Sequence, residues 1–448
     1  MKLIEPIYRS SVEAVAESLC ADKPLLPINF PFSSVGAVKY TSLDSVCKHI
    51  YSKRHHCLNY IDYYMLAFQP VHPIVNATRL QADLEQFWKT GTSDDASWLG
   101  ELCMILALGS LSTTEIPETG RREVALEFCL AAESCLSRTA FMVYLTVSTV
   151  RTMCLMLVVK QLTTGTCWSI DNCWTLAGLI FRQAATLGLH CQPAVYHEYN
   201  PDMLSEWQEG QTLWVTILYF GVLLSITSGL PSFLRADELL PVTETFTRPI
   251  DETEGVWQST IRNSFPAVLK IIGRVNSDAN NPTYEEILEY NAEIRHLMVG
   301  LESYKVHPVL RIVLDMHFRR VLLVLHRRHA LEHDAPYRYP ISYWSSLECS
   351  LAILVHHREM YSDGLASQCK LMCRFFMLDF FAAALTAGMH LLRHDAPLAD
   401  GMAIPPRQTI FDTLVACTEL WARERPVSAC YRSGHELLQS ILSMLSSS

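Results

Sequence analysis

Charge is scarce in this 448-residue chain: Asp, Glu, Lys and Arg make up 18% of it, while half the residues are hydrophobic. Such a balance supplies ample material for a large buried core and is too apolar for a disordered chain. The formal net charge of −10 repels phosphate backbones, so this segment by itself is not built for duplex binding. Catalytic signatures are missing: there is no Gly-x-Gly-x-x-Gly, no Gly-rich phosphate loop ending in Lys-Ser/Thr and no Gly-x-Ser-x-Gly elbow. Close cysteine pairs of the zinc-knuckle kind are also missing among the 15 cysteines, an odd and irregularly spaced set. Cys47 and Cys57 flank Lys53-Arg54-His55-His56 at the wrong spacing, and Cys369 and Cys373 stand one helical turn apart without a second pair. Cys103, Cys129, Cys154 and Cys173 lie in apolar stretches and read as small buried hydrophobes in a reducing compartment. The start, Met1 to Pro6, lacks the basic and apolar regions of a secretory signal. No fixed-period repeat and no sustained β alternation occur.

What is present is helix after helix from about Leu58 onward, which predicts an all-α fold: one large body of packed antiparallel helices. Residues 1–46 read as a leading segment, with a short periodic piece from Ser11 to Leu19 before Pro24, Pro27 and Pro31 keep the chain extended. Asp171 is placed as the cap of a helix carrying Cys173, Leu176, Ile180, Ala184 and Leu187, with Gly188 just past its end. Asn200-Pro201 opens the next helix. Thr283 to Glu286 reads as a capping box, Pro308 opens a helix through Leu325, and Ser345 to Glu348 reads as a second capping box. Leu230 to Gly255 and Asp395 to Arg407 read as Pro-rich loops. A final hydrophobic group covers Leu371 to Leu392 and Thr409 to Trp421.

Few residues suggest chemistry. His329-Ala-Leu-Glu332-His333 matches the order of one zinc-peptidase motif, with Glu332 as base, and gives a zinc-dependent hydrolase as one alternative. Its position at a helix end favours the plainer reading, in which His and Arg face exposed carbonyls. The doublets Arg319-Arg320 and Arg327-Arg328 are too short for a nucleic-acid patch. The run from Leu213 to Leu230 is long enough to span a membrane, which gives a second alternative. Thr216, Ser225, Thr227, Ser228 and the absence of a flanking basic cluster favour a buried core helix. Trp168, Trp174, Phe181, Trp214, Tyr219 and Phe220 form an aromatic stripe, and the last five are candidate lining for a small-molecule effector pocket.

An ordered set of segments resembles the fungal-specific transcription factor domain. Trp174 to His190, ending in Leu187-Gly-Leu-His190, is similar to that family's helix with the same ending. Glu206 to Trp214 stands where the family has Glu…Arg-Arg-x-Trp-Trp. Ser225 to Pro231 resembles its Ser-Leu-x-x-Gly-Arg-Pro, and Glu238 to Pro241 its short acidic tail. Tyr63 to Trp88, with Val71-His72-Pro73, resembles the family's first motif. Leu325-His326-Arg327 and Ser345-x-x-x-Cys349-x-x-Ala352 resemble later ones. Three departures stand out. The basic pair and second Trp are absent around Gly210 to Val215, the Arg of Gly-Arg-Pro is Leu230, and the Asp expected upstream is Gly221.

The resemblance implies three parts: a leading segment over 1–57, the family domain over 58–360, and C-terminal helices over 361–448 on the same body. It implies a nuclear, non-enzymatic transcription regulator of a pathway-specific gene set, such as a nutrient-use or secondary-metabolite cluster. Its partners would be a small-molecule effector, transcriptional co-regulators and a second copy of the chain, with no membrane and with DNA reached only indirectly or through another module. Family members usually begin with a six-cysteine zinc cluster and coiled coil, for which residues 1–57 have no match. The expectation is therefore either a shortened chain or a regulator acting without direct DNA contact, with zinc as cofactor only if such a cluster lies upstream.

Overall fold

A glycine sets a very close approach between two helix backbones. In the computed structural model, Gly109 of α4 (Ala96–Ser112) lies against the carbonyl of Tyr60 in α2 (Arg54–Ala67), so closely that an added Cβ would overlap that oxygen. The structure describes residues 25–27, 29–163, 168–191, 201–234, 252–277, 282–299, 301, 307–362, 367–393, 405–426 and 428–447. Side chains of 168–171, 201–204, 252–254, 367–369, 429 and 447 fall outside that description.

Helix α4 has no solvent face, since every residue from Trp98 to Ser112 is buried. A helix apolar all round has to be enclosed by others, and α2, α5 (Glu118–Arg138) and α6 (Val147–Leu162) enclose it. Its ends are satisfied by other groups. The Asp95 side chain accepts from Ser97 and Trp98 N–H at 2.9 and 3.1 Å, and Arg121 donates to the carbonyls of Leu111 and Thr113 at 3.3 and 2.9 Å. Leu111 lies by Arg121 at the start of α5 and Gly100 by Cys135 near its end, so α4 and α5 run antiparallel.

The remaining elements extend this body. Helices α1 (Leu43–Ser52) and α3 (Ala77–Thr90) precede α4. Then come α7 (Trp168–Thr186), α8 (Pro201–Ser228), α9 (Glu252–Val275), α10 (Tyr284–Val299) and α11 (Pro308–Ala330). After the single turn α12 (Ala335–Arg338) follow α13 (Pro340–Met360), a 3-10 segment (Ser367–Phe376), α14 (Met377–Leu391), α15 (Arg407–Glu424) and α16 (Ala429–Ser447). Among the described residues there is no strand, and the all-α expectation holds. Early and late helices are joined through half-buried groups: Arg374 of the 3-10 segment pairs with Glu118 of α5 at 2.9 Å and with Glu424 of α15 at 3.2 Å. Arg320 of α11 is also buried against Asp379 of α14.

Several expected boundaries hold. Gly188 takes φ +74° past α7, α8 opens at Pro201, and the Thr283–Glu286 box forms, with Thr283 N–H reaching the Glu286 carboxylate at 2.7 Å. Gly300, Gly364, Pro193 and residues 1–24 lie outside the described residues. Other boundaries differ. Helix α7 starts at Trp168, so Asp171 is inside its first turn, and α9 begins at Glu252, within the stretch read as loop. Within the leading segment, Ser42 and Ser45 cap α1 reciprocally.

The second capping box, Ser345 to Glu348, does not form. Helix α13 already starts at Pro340, and Ser345 and Ser346 are buried within it. Glu348 instead pairs with Arg295 of α10 at 2.6 Å and with Arg319 of α11 at 2.8 Å. The network continues from Arg319 to Asp315 at 2.6 Å, then to His356 of α13 at 2.6 Å, whose other ring nitrogen meets Glu359 at 2.9 Å. The matches 315 with 356 and 319 with 348 make α11 and α13 antiparallel.

Two outcomes follow from this packing. Replacing Gly109 by Ala is expected to cost about 3 kcal/mol or more in chemical denaturation, as overpacking against backbone that cannot retreat. Gly100→Ala on the same helix meets only the Thr152 and Cys135 side chains at 3.4 and 3.5 Å, and should stay within about 1 kcal/mol of the parent. At His356, burial opposes the charged ring, but hydrogen bonds and charge from Asp315 and Glu359 outweigh it and raise the pKa. A raised folded pKa gives stability that is full below the ordinary His value of about 6.5 and fades as pH rises through the folded value. The Tm difference between the parent and His356→Asn should therefore shrink from pH 6 to pH 8.5 (both about), read by thermal melts.

Candidate functional site

Two of the family-like segments, 187–190 and 225–231, lie at helix ends, and their residue types follow from what those ends need. Past α7, Gly188 adopts the left-handed conformation, and Leu189 N–H returns to the Ala184 carbonyl at 3.1 Å. That closes the helix as a Schellman turn. The exposed carbonyls beyond it are taken by α8: Gln211 donates to Leu189 and Cys191 at 2.6 and 3.1 Å, and the Trp207 ring N–H to Cys191 at 3.0 Å. Past α8, Gly229 has φ +73°, and its N–H bonds Ser225 at 3.0 Å. Ser225 Oγ donates to Pro231, and Asn276 donates to the Ser225 and Leu230 carbonyls at 3.0 and 2.8 Å. Ser-Ile-Thr-Ser-Gly-Leu-Pro is thus a helix stop.

The five aromatic candidates fall on two sides of α8. Trp214 and Tyr219 are five residues apart, about 140° around a helix. On one side, Phe181 meets Trp214 with ring centroids 5.2 Å apart, and Phe233 meets Trp174 and Phe181 at 5.1 and 5.9 Å. On the other, Tyr219 and Phe220 surround His72 at 6.0 and 5.1 Å, with Phe375 at 4.7 Å. Burial holds His72 neutral, its pKa pushed down to about 3. The side chain of Trp168 is outside the described residues.

A different place offers room. A cleft of about 290 Å³ lies between the strap from Gln69 to Asn76, the first turn of α3, Arg151 of α6, and Ser205, Gln208, Glu209 and Thr212 of α8. The five aromatics do not line it. The strap is clamped by Gln69, whose amide bonds both backbone groups of Val75 at 2.6 and 3.3 Å and accepts from Tyr64 at 3.1 Å. Asn76 caps α3 by accepting from Arg79 N–H at 2.8 Å, and its amide nitrogen donates to Glu209. Arg151, its side chain 4% exposed, pairs with the other Glu209 oxygen at 3.1 Å. Behind it lies Glu101 of α4. Burial pushes that carboxyl above its usual range, against the pull of Arg151 and a Ser148 hydrogen bond.

The chain has recognisable relatives among known proteins. The profile of the fungal specific transcription factor domain matches residues 61–298. The chain belongs to this family. It is similar to the transcription factor opdR of Penicillium oxalicum, at 24% identity over 69% of this chain and 42% of that protein. It is also similar to the Zn(2)-C6 fungal-type transcription factor mpsB of Macrophomina phaseolina, at 20% identity over 82% of this chain and 55% of that protein. The chain therefore spans about half the length of the curated relatives it matches.

Where the fungal transcription factor domain is expected to carry an Asp, Gly221 leaves room for the Phe233 ring, which would stand 3.1 Å from an added Cβ. In the segment without the basic pair, Gln211 supplies donors to the α7 terminus.

The hydrolase alternative loses its geometry. Helix α11 ends at Ala330, so Glu332 and His333 are no longer on one helical face with His329, which packs against the Tyr284 and Tyr339 rings. Among the described residues no three His, Cys, Asp or Glu side chains gather as metal ligands. Cys47 and Cys57 are buried and free, their thiols directed at the Ser93 and Ile50 carbonyls. Most of the Leu213 to Leu230 run is the core part of α8: the 205–228 segment has the length and apolarity of a membrane span, yet its most apolar stretch is almost all buried inside the protein. The sequence reading missed the cleft. Its signals were Asn76 ahead of a helical stretch and Arg151, the single charge between Val147 and Val159.

Arg151 stands between Glu101 and Glu209, so its loss leaves a buried carboxylate without compensation. Arg151→Leu is expected to cost about 3 kcal/mol in urea denaturation, the scale for removing one partner of a buried pair. Adding Glu101→Gln should recover a substantial part of that loss.

Proposed function

We propose that this chain is the regulatory body of a fungal transcription regulator, acting in the nucleus on a pathway-specific gene set. The observation that carries this reading is the family match over residues 61–298, together with relatives described as transcription factors. The chemistry agrees. A net charge of −10 disfavours direct contact between this body and duplex DNA, and the charged groups inside it are tied into structural networks. DNA is then reached through a separate module or a partner, and the body works by contacting co-regulators and an effector. A second copy of the chain is part of this reading, as is the division at residues 57 and 360. The cleft beneath the Gln69 to Asn76 strap supplies the room for an effector.

The test is transcript profiling after deletion and after overexpression in the source fungus, with a fluorescent fusion imaged in parallel. A coherent gene set shifting in opposite directions, with the fusion concentrated in nuclei, is the expected result. An unchanged transcriptome in both strains, or exclusion from nuclei under every growth condition, overturns the reading.

A further inference from the structure

The cleft holds more than its internal ion pair requires. Its volume of about 290 Å³ far exceeds the share of a single water, roughly 30 Å³. The first turn of α3 opens on it, and N–H groups there have no intrahelical partner and carry the positive end of the helix dipole. Arg151 lines it with a side chain that is 4% exposed, and the guanidinium Nε is buried with no hydrogen-bond partner. Hydroxyls of Thr78 and Ser205 and the Gln208 amide complete a lining rich in donors. The anionic acceptor in this lining is Glu209, which spans Asn76 and Arg151 and is itself 27% exposed.

Glu209 thus stands where a ligand's carboxylate would stand. We propose that the cleft binds a small carboxylate metabolite, whose carboxylate displaces Glu209 from Arg151 and lies against the α3 N-terminus. The exchange keeps an anion on Arg151, so no buried charge is left uncompensated. Glu209, already partly at the surface, turns to water at little cost. A cationic ligand would meet Arg151 and the helix dipole with the wrong sign. A neutral one could not take over the pairing. The inference rests on reading the chain as an effector-sensing regulatory body, and it names the chemistry of that effector.

The test is calorimetric titration of the purified full chain with succinate and with citrate, with succinamide and inorganic phosphate as separate arms, alongside thermal melts. Saturable binding of a carboxylate, with no binding of succinamide, is expected. Glu209→Gln removes the competing anion and should tighten that binding by about tenfold. Gln208→Glu, which breaks no contact described above, adds a carboxylate to the lining and should weaken it by about tenfold. If Glu209→Gln does not fold, Gln208→Glu carries the test. Binding of neither carboxylate, binding of phosphate alone, or affinities unmoved by the folded variants overturns the proposal. These readouts do not involve transcription. Failure here alongside a coherent transcript response removes the ligand class and leaves the regulator, while an unchanged transcriptome with intact binding does the reverse.

Discussion

The contact between Gly109 and the Tyr60 carbonyl is the constraint on which the body is built. It brings α2 and α4 to a separation that no side chain could allow, and it leaves α4 with no face for solvent. Everything around α4 then has to be apolar toward it, which explains why α2, α5 and α6 carry their buried residues as they do. The few polar groups on α4 are answered locally. Ser110 and Ser112 hydrogen-bond to the carbonyls of Ala107 and Leu108, and Glu101 faces Arg151. A fully enclosed helix tolerates a carboxyl only beside such a partner, so the packing of the first half also fixes where the first charged network lies.

The second half is organised by charge as much as by apolar contact. Arg295, Glu348, Arg319, Asp315, His356 and Glu359 run along the seam of α10, α11 and α13, each with an opposite charge beside it. Arg374 performs the corresponding task between α5 and α15. Its two carboxylate partners come from positions 256 and 50 residues away, and a pairing of that range holds elements that share little sequence proximity.

How much of this was legible beforehand depended on whether the signal was local. Gly188, Thr283, Pro201 and Pro308 act within a turn of their own position, and each marks its helix end as the sequence suggests. Ser345 to Glu348 has the same local pattern and fails, because Pro340 starts the helix earlier and Glu348 is claimed by Arg295 and Arg319 from other helices. The His329 set fails for a related reason: a helix that stops at Ala330 leaves spacing without a face. The aromatic stripe was correctly apolar, but the five-residue step from Trp214 to Tyr219, about 140° around a helix, already argued against one shared lining. The cleft depends on Asn76, Arg151 and Glu209, which are 75 and 58 residues apart in order. Their joining is a property of the packing and has no local trace beyond a helix-capping Asn76 and a lone arginine in an apolar helix.

The strap from Gln69 to Asn76 is where the apolar and polar halves of the design meet. Its Val-His-Pro segment inserts His72 among Tyr219, Phe220 and Phe375, a neutral ring filling an aromatic layer. Three residues on, the backbone is clamped by Gln69, and Asn76 caps α3 while reaching Glu209. A side chain longer or more charged than His at position 72 would push the strap away from α8 and open the cap. The family-like motif therefore does two things at once: its ring anchors the strap in the core, and its chain direction sets the wall of the cleft. That coupling explains why a motif with no chemistry of its own lies beside the polar cavity of the body.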